Sequence, residues 1–362
     1  MPTVSICIPV YNGTNYLAKA IENALSQTYE DFELLIANDC STDETQAVID
    51  KYAKQDKRVK AWINEKNLKL FGNYNRCIER AEGEYIKLFA HDDLLEKDCI
   101  ERMLAVLKEH PEVALVTCAK RWIDANDDEI EKVVRFKGDV NLKATDVIIA
   151  NLIAMNNWIG EPSATMYRRK HAGDGFDCKL YQWGDLDYWF KILQHGNLYV
   201  IGDILCSFRL HAASSTSAAN AGMYTAADIV RMYQQWHRYL DELGESEEHF
   251  YKRATERIAL HVDHIVRTEG LTVDKVRQAN PTKQQEYSFE EVSNFREALF
   301  HAERRITTLM EELILTKNEL EHRQGECKEL RAAIGVMENS VSWKLTSPLR
   351  SVRSKMPANN SN

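Results

Sequence analysis

VSICIPVYNGTNYLAKAIENALSQTYEDFELLIANDC, residues 4–40, decides the fold. Residues 3–10, TVSICIPV, are apolar with little alternation, as in a strand buried on both faces. Residues 15–28 change to helical spacing through Leu17, Ile21, Ala24 and Leu25. FELLIAN at 32–38 then reads as a second buried strand. Further outward the alternation continues: an amphipathic helix within 39–55, with Thr42 and Asp43 as candidate N-caps, a short strand at 59–64, and a helix around 74–83. A fourth strand ends at His91, a helix covers 96–110, and a strand covers 113–119. Alternation of this kind predicts an α/β domain whose mostly parallel sheet is flanked by helices. Ligands of such sheets sit beyond the carboxyl ends of the strands.

The composition narrows the chemistry. The chain has 362 residues, a net charge of -9 and 44% hydrophobic residues, so it can bury a sizeable core and offers no basic field for nucleic acid. Its eight cysteines are scattered singly, with no C-x-x-C, a pattern suited to a reducing compartment rather than to a disulfide framework or zinc cage. No stretch approaches the ~18 to 20 apolar residues of a membrane span, and the first strand begins at residue 3 with no signal peptide before it. The expected location is cytoplasmic. No G-x-G-x-x-G follows any strand, which argues against a dehydrogenase, and the Gly-rich, Lys-bearing loop of a nucleotidyltransferase is missing after the first strand.

The fourth strand ends in KLFAHDDLL, residues 87–95, with Asp92 and Asp93 adjacent at its tip. Neighbouring strand residues point to opposite faces, so the pair can serve one ligand only if the chain turns there. Carboxylates at a binding edge suit Mg²⁺ or Mn²⁺ bridged to substrate phosphates, whereas a lone Asp-Asp can equally be a helix cap. Two other loops reach the same edge: PVYNGTNYL after the first strand and ANDCSTDET after the second.

Taken together, these motifs resemble those of the inverting family 2 glycosyltransferases of the GT-A (nucleotide-diphospho-sugar transferase) fold, over roughly residues 3 to 215. The resemblance implies nucleotide-donor contacts at Pro9, Tyr11 and Asp39, a contact of Asp92 with the donor sugar or ribose, and a metal, Mg²⁺ or Mn²⁺, at Asp93. WGDLDYWFKILQHG resembles the family's Glu-Asp-x-Asp helix, which makes Asp185 the catalytic base, with Asp187 as competing candidate and N-capping as the bland role of either. FRLHAASSTS resembles an Arg-x-His segment whose His, here His211, completes the metal site. Trp158, Glu161 and Trp183 are candidates for an acceptor subsite. The chain departs from the family pattern at Asn38, where Asp is frequent, at Cys40, where Gly is frequent, at Tyr74, where Arg is frequent, and at Gly184, where Glu is frequent. The expected reaction moves a sugar from a nucleotide-diphosphate donor to a glycan or lipid-linked acceptor in bacterial surface-polysaccharide synthesis. The alternative is a scaffold in which a degenerate transferase domain rides on an oligomerising coil; retention of Asp39, Asp92, Asp93, Asp185 and His211 argues against it.

Downstream of the transferase domain (1–220), the sequence predicts a helical extension (221–268) and a polar linker (269–288). A coiled coil (289–345) follows, with a 3-4 seam from Phe295 to Val341 broken only by Thr316 and Arg323; so narrow a stripe needs partner helices, implying a homo-oligomer. The tail (346–362) continues SVSWKLTSPLRSVRSK, which resembles the end of bacterial surface-polysaccharide glycosyltransferases. It interleaves apolar and basic residues and suits either the anionic inner membrane leaflet, as a peripheral contact, or a sister enzyme.

Overall fold

The computed structural model describes residues 2–211, 225–241 and 250. The linker, coiled coil and tail expected from the sequence lie outside the described residues, as does much of the helical extension.

The core is one sheet. Four strands, β1 (Val4–Val10), β2 (Phe32–Asn38), β3 (Val59–Ile63) and β4 (Tyr85–Leu88), run parallel in the spatial order β3-β2-β1-β4. Helices α1 (Leu17–Leu25), α2 (Thr45–Gln55) and α3 (Lys69–Arg80) connect them. Every residue of β1 and β2 is buried, which explains their near-continuous apolar sequence. Ile6, Ile8, Leu34 and Ile36 enter one core, while Cys7, Leu35 and Ala37 enter the other. That alternation divides the side chains between the helix layers on the two faces.

Beyond β4 and a two-residue strand β5 (Leu94–Leu95) comes α4 (Cys99–Glu109), then β6 (Val113–Ile123). A hairpin at Asp124–Asp128 turns the chain into β7 (Glu129–Val133), with Asp127 in the left-handed region at φ 74°. β8 (Val140–Leu142) and α5 (Ala144–Ala154) follow.

The sheet is mixed rather than mostly parallel. β9 (Thr165–Arg168) lies between β4 and β6 and is antiparallel to both. It is buried along its whole length. The buried Lys87 of β4 fastens its approach, donating to the carbonyls of Ser163 and, at 3.2 Å, Thr165. After α6 (Gly184–Leu193), the long β10 (Asn197–Arg209) pairs parallel with β6. β1, β2, β4, β6 and β10 therefore end on one edge, and β9, running the other way, begins there. Helix α7 (Thr225–Trp236) packs Trp236 against Phe190 of α6. Among the described residues no helix is long and apolar enough to cross a membrane.

Candidate active site

Two loops at that edge are knitted together by the polar residues of their motifs. Asn12, at φ 52°, accepts from the Thr42 amide at 2.8 Å, and its own amide donates to Ser41 Oγ at 2.9 Å. The Gly13 amide donates to Thr45 Oγ1, and Thr14 donates to Asp43, which also accepts from the Thr45 amide at the start of α2. Asn12, Ser41, Thr42 and Asp43 thus hold the loops, and the neighbouring Pro9, Tyr11 and Asp39 line a cavity of about 500 Å³. Cys40 has φ 60°, a conformation glycine adopts without cost, so the backbone here suits the Gly frequent at this position better than the Cys that stands there.

Asp39 sits at the back of this cavity, 1% exposed. One oxygen accepts from Asn64 Nδ2 and the Leu68 amide, each at 2.8 Å, and the other accepts from the Lys69 amide at 3.0 Å. Its carboxylate shapes the 64–69 loop as well as facing the cavity. Lys69, Asn73 and Tyr16 line the same space and were not singled out from the sequence.

The turn after β4 separates the two adjacent acids. Asp92 faces the cavity, with His211 Nε2 2.9 Å from its Oδ2. Burial pushes its carboxyl upward, but the hydrogen bond to His211 and the nearby His91 outweigh it and hold Asp92 below the usual range. Asp93 is 1% exposed and lines neither cavity described here. Its Oδ1 accepts the Arg209 amide at 2.9 Å, and burial, then the charge of Asp92, push its carboxyl well above the usual range. Asp93, the residue expected at the metal, thus lies inward of Asp92, with its Oδ2 buried and without a hydrogen-bond partner among the described residues, because consecutive side chains diverge. Arg209 joins the parts, donating through Nε to the Asp92 carbonyl at 2.7 Å while its guanidinium lies 4.6 Å from the Tyr16 ring centre.

Asp92 and His211 offer a carboxylate and an imidazole to one space, a donor pair compatible with Mn²⁺ or Mg²⁺ that keeps water and phosphate oxygens as its other ligands. Among the described residues no group of three or more acidic, His or Cys side chains converges on one point.

A second cavity, about 140 Å³, shares Pro9, Leu70, His91 and Asp92 with the first. Asp185 and Glu161 line it. Asp185 stands in the first turn of α6; its Oδ1 accepts the Leu186 amide at 2.7 Å and its Oδ2 accepts Asn157 Nδ2 at 2.9 Å. Burial and the charge of Glu161 push its carboxyl up to about 7, against the pull of the Leu186 amide, Lys120 and Asn157. Asp187 is excluded from the cavity: wholly buried, it accepts from Trp236 Nε1 at 2.9 Å and pairs with Lys191 at 2.7 Å. The Tyr181–Trp183 segment before α6 is held by Asp228 of α7, whose buried carboxylate accepts the amides of all three residues. No motif marks Asp228; only its contacts do. Trp158, expected beside the acceptor, instead lines a separate apolar cavity between β6, β10 and α5, and Trp183 is buried.

A mixed sheet flanked by helices, with two contiguous cavities beyond the carboxyl ends of its strands, is consistent with the GT-A fold. Residues 5–176 match the profile of Glycosyl transferase family 2. An uncharacterized glycosyltransferase of Rickettsia prowazekii is 28% identical over 271 residues, covering 74% of this chain and 81% of that protein. Hyaluronan synthase of Pasteurella multocida is 28% identical over 265 residues, covering 71% of this chain and 26% of the synthase. Among solved structures, S. aureus TarS 1–349 in complex with UDP-GlcNAc has a TM-score of 0.56 at 15% identity, over 87% of this chain and 92% of that one, a likeness of fold. Mannosyltransferase PcManGT from Pyrobaculum calidifontis, in complex with GDP-Man and Mn²⁺, has a TM-score of 0.51 at 15% identity, over 84% and 87%.

Proposed function

We propose that the protein is an inverting glycosyltransferase that moves a sugar from a nucleotide-diphosphate donor in the larger cavity to a glycan or lipid-linked hydroxyl in the smaller one, in bacterial surface-polysaccharide synthesis. One observation carries this reading: the two cavities meet at Asp92, and the smaller one contains a carboxylate of raised proton affinity. The similarity to hyaluronan and chondroitin synthases of Pasteurella multocida supports a polysaccharide product.

Pro9, Tyr11 and Asp39 bind the nucleotide end of the donor. Asp92 and His211 would hold a divalent cation, which would supply positive charge against the leaving diphosphate. Asp185 takes the proton of the acceptor hydroxyl as that oxygen bonds to the anomeric carbon. The bond from that carbon to the phosphate oxygen breaks, its electron pair leaves with the diphosphate, and one displacement inverts the carbon. A base with a pKa near 7 is half ionised at neutral pH and still a strong enough acceptor to draw the proton.

The test is a panel of UDP-, GDP- and dTDP-sugars scored by thermal unfolding with Mn²⁺, since a ligand that binds only the folded state raises its stability. One donor class is expected to raise the melting temperature, and to do so with Mn²⁺ more than without. A flat response across the panel would refute the assignment of the larger cavity.

A further inference from the structure

The smaller cavity has a second carboxylate that the reaction above leaves unused. Glu161 immediately precedes the Pro162–Ala164 turn into β9, and its carbonyl accepts the Ala164 amide at 2.9 Å, so its backbone is fixed. Its side chain is fixed as well, since Glu161 Oε2 pairs with the ammonium of Lys120, a β6 residue only 6% exposed. Lys120 is buried and lines the adjoining cavity, where a lysine without a counter-ion would be costly.

Resting on the function proposed above, we infer that Glu161, anchored by Lys120, is a positioning residue for the transfer reaction: as a second negative charge lining the acceptor cavity, it acts on the acceptor's proton only through Asp185. The other ionisable groups around that cavity are Tyr74 of α3, Tyr181 ahead of α6, and His91 and Asp92 after β4, and Glu161 also feels the charges of Arg135 and Asp93. Asp92 is engaged by His211, whereas Glu161 has its own buried cation and sits in the segment that leads into β9. The proton affinity of Asp185 responds to both members of the pair in opposite senses, upward to Glu161 and downward to Lys120. A merely structural ion pair would make removal of either partner equivalent. A charge-setting pair makes the two removals opposite.

The experiment follows the protonated-carboxyl infrared band of Asp185 in the full chain, isolated at each pH as the difference between wild type and Asp185→Asn. The wild-type midpoint is expected near the value of about 7 given by its surroundings. Glu161→Gln is expected to lower it by roughly one unit, Lys120→Met to raise it, and Glu161→Asp to restore most of the wild-type value. An unchanged midpoint in Glu161→Gln, or shifts of the same sign in the Gln and Met variants, overturns the inference. If Glu161→Gln does not fold, Lys120→Met decides alone, and a downward or absent shift there overturns it. The role of Asp185 as base is tested apart from this, by the turnover of Asp185→Asn. Wild-type turnover in that variant removes the base assignment, while the titration stands or falls on its own.

Discussion

The imidazole of His211 lies 2.9 Å from a carboxylate oxygen of Asp92, although 119 positions separate the two in the chain. The contact exists because β4 and β10 end on the same sheet edge, three strand places apart in the order β4-β9-β6-β10. It brings the end of β10 to the turn after β4, where Asp92 rather than Asp93 lines the larger cavity.

From this contact, Asp92→Asn and His211→Ala are each expected to weaken Mn²⁺-dependent stabilisation by the cognate nucleotide by about tenfold or more. Asp93→Asn keeps an acceptor for the Arg209 amide and is expected to retain Mn²⁺ dependence. Calorimetric titration of Mn²⁺ into the nucleotide-saturated variants checks the contrast. Loss of Mn²⁺ affinity in Asp93→Asn with retention in Asp92→Asn would reverse the assignment.

Asp185→Asn is expected to lower turnover by about 10²- to 10⁴-fold while leaving donor binding unchanged. In the wild type, activity is expected to rise with pH through about 7 as this carboxyl ionises. Initial rates across a pH series, with donor binding measured in parallel, separate this from a folding defect.

The same group makes a stability prediction with a definite sign. The folded state holds the Asp185 proton up to about pH 7, whereas an unfolded aspartate releases it near pH 4. Between those values the folded state binds more protons, so stability falls as pH rises through the window and levels off above it. Asp185→Asn is therefore expected to melt higher than wild type at pH 8, by on the order of a few kcal/mol at most, and to match it at pH 4. Thermal melts at the two pH values measure the difference, and an equal gain at both would point to packing instead.

Lys87→Met is expected to destabilise the domain by about 2–4 kcal/mol, since it leaves the carbonyls of Ser163 and Thr165 without their buried donor. Denaturant unfolding measures it. A neutral result would mean that β9 is held by its strand pairing alone.

The proposed coiled coil over 289–345 leads to a last expectation: ending the chain near residue 285 converts an oligomer to a monomer. Light scattering on the two lengths decides, and an unchanged oligomeric mass in the shortened chain removes the coil as the assembling element.

The parallel half of the fold was legible in the sequence because β1 and β2 are buried on both faces and read as unbroken apolar runs. The loops after them were legible as well, through motif residues whose main work is to tie one loop to the other. β9 escaped because four residues bounded by turns carry no period, and its burial comes from distant strands. The roles of Asp92 and Asp93 depend on a difference of one residue in where the turn falls, which no pattern of residue types records. Asp185 and Asp187 are told apart only by partners far along the chain, Asn157 for the first and Trp236 for the second.

Gly184 illustrates how such a departure becomes locked in. A Cβ at that position would meet the Phe71 ring at 2.3 Å, and Phe71 in turn stacks on Phe176, 5.2 Å between ring centres. An acidic side chain at 184 therefore requires the Phe71 ring to move or shrink. Swapping position 184 by itself is thus the harder experiment, and pairing it with a smaller side chain at 71 the easier one.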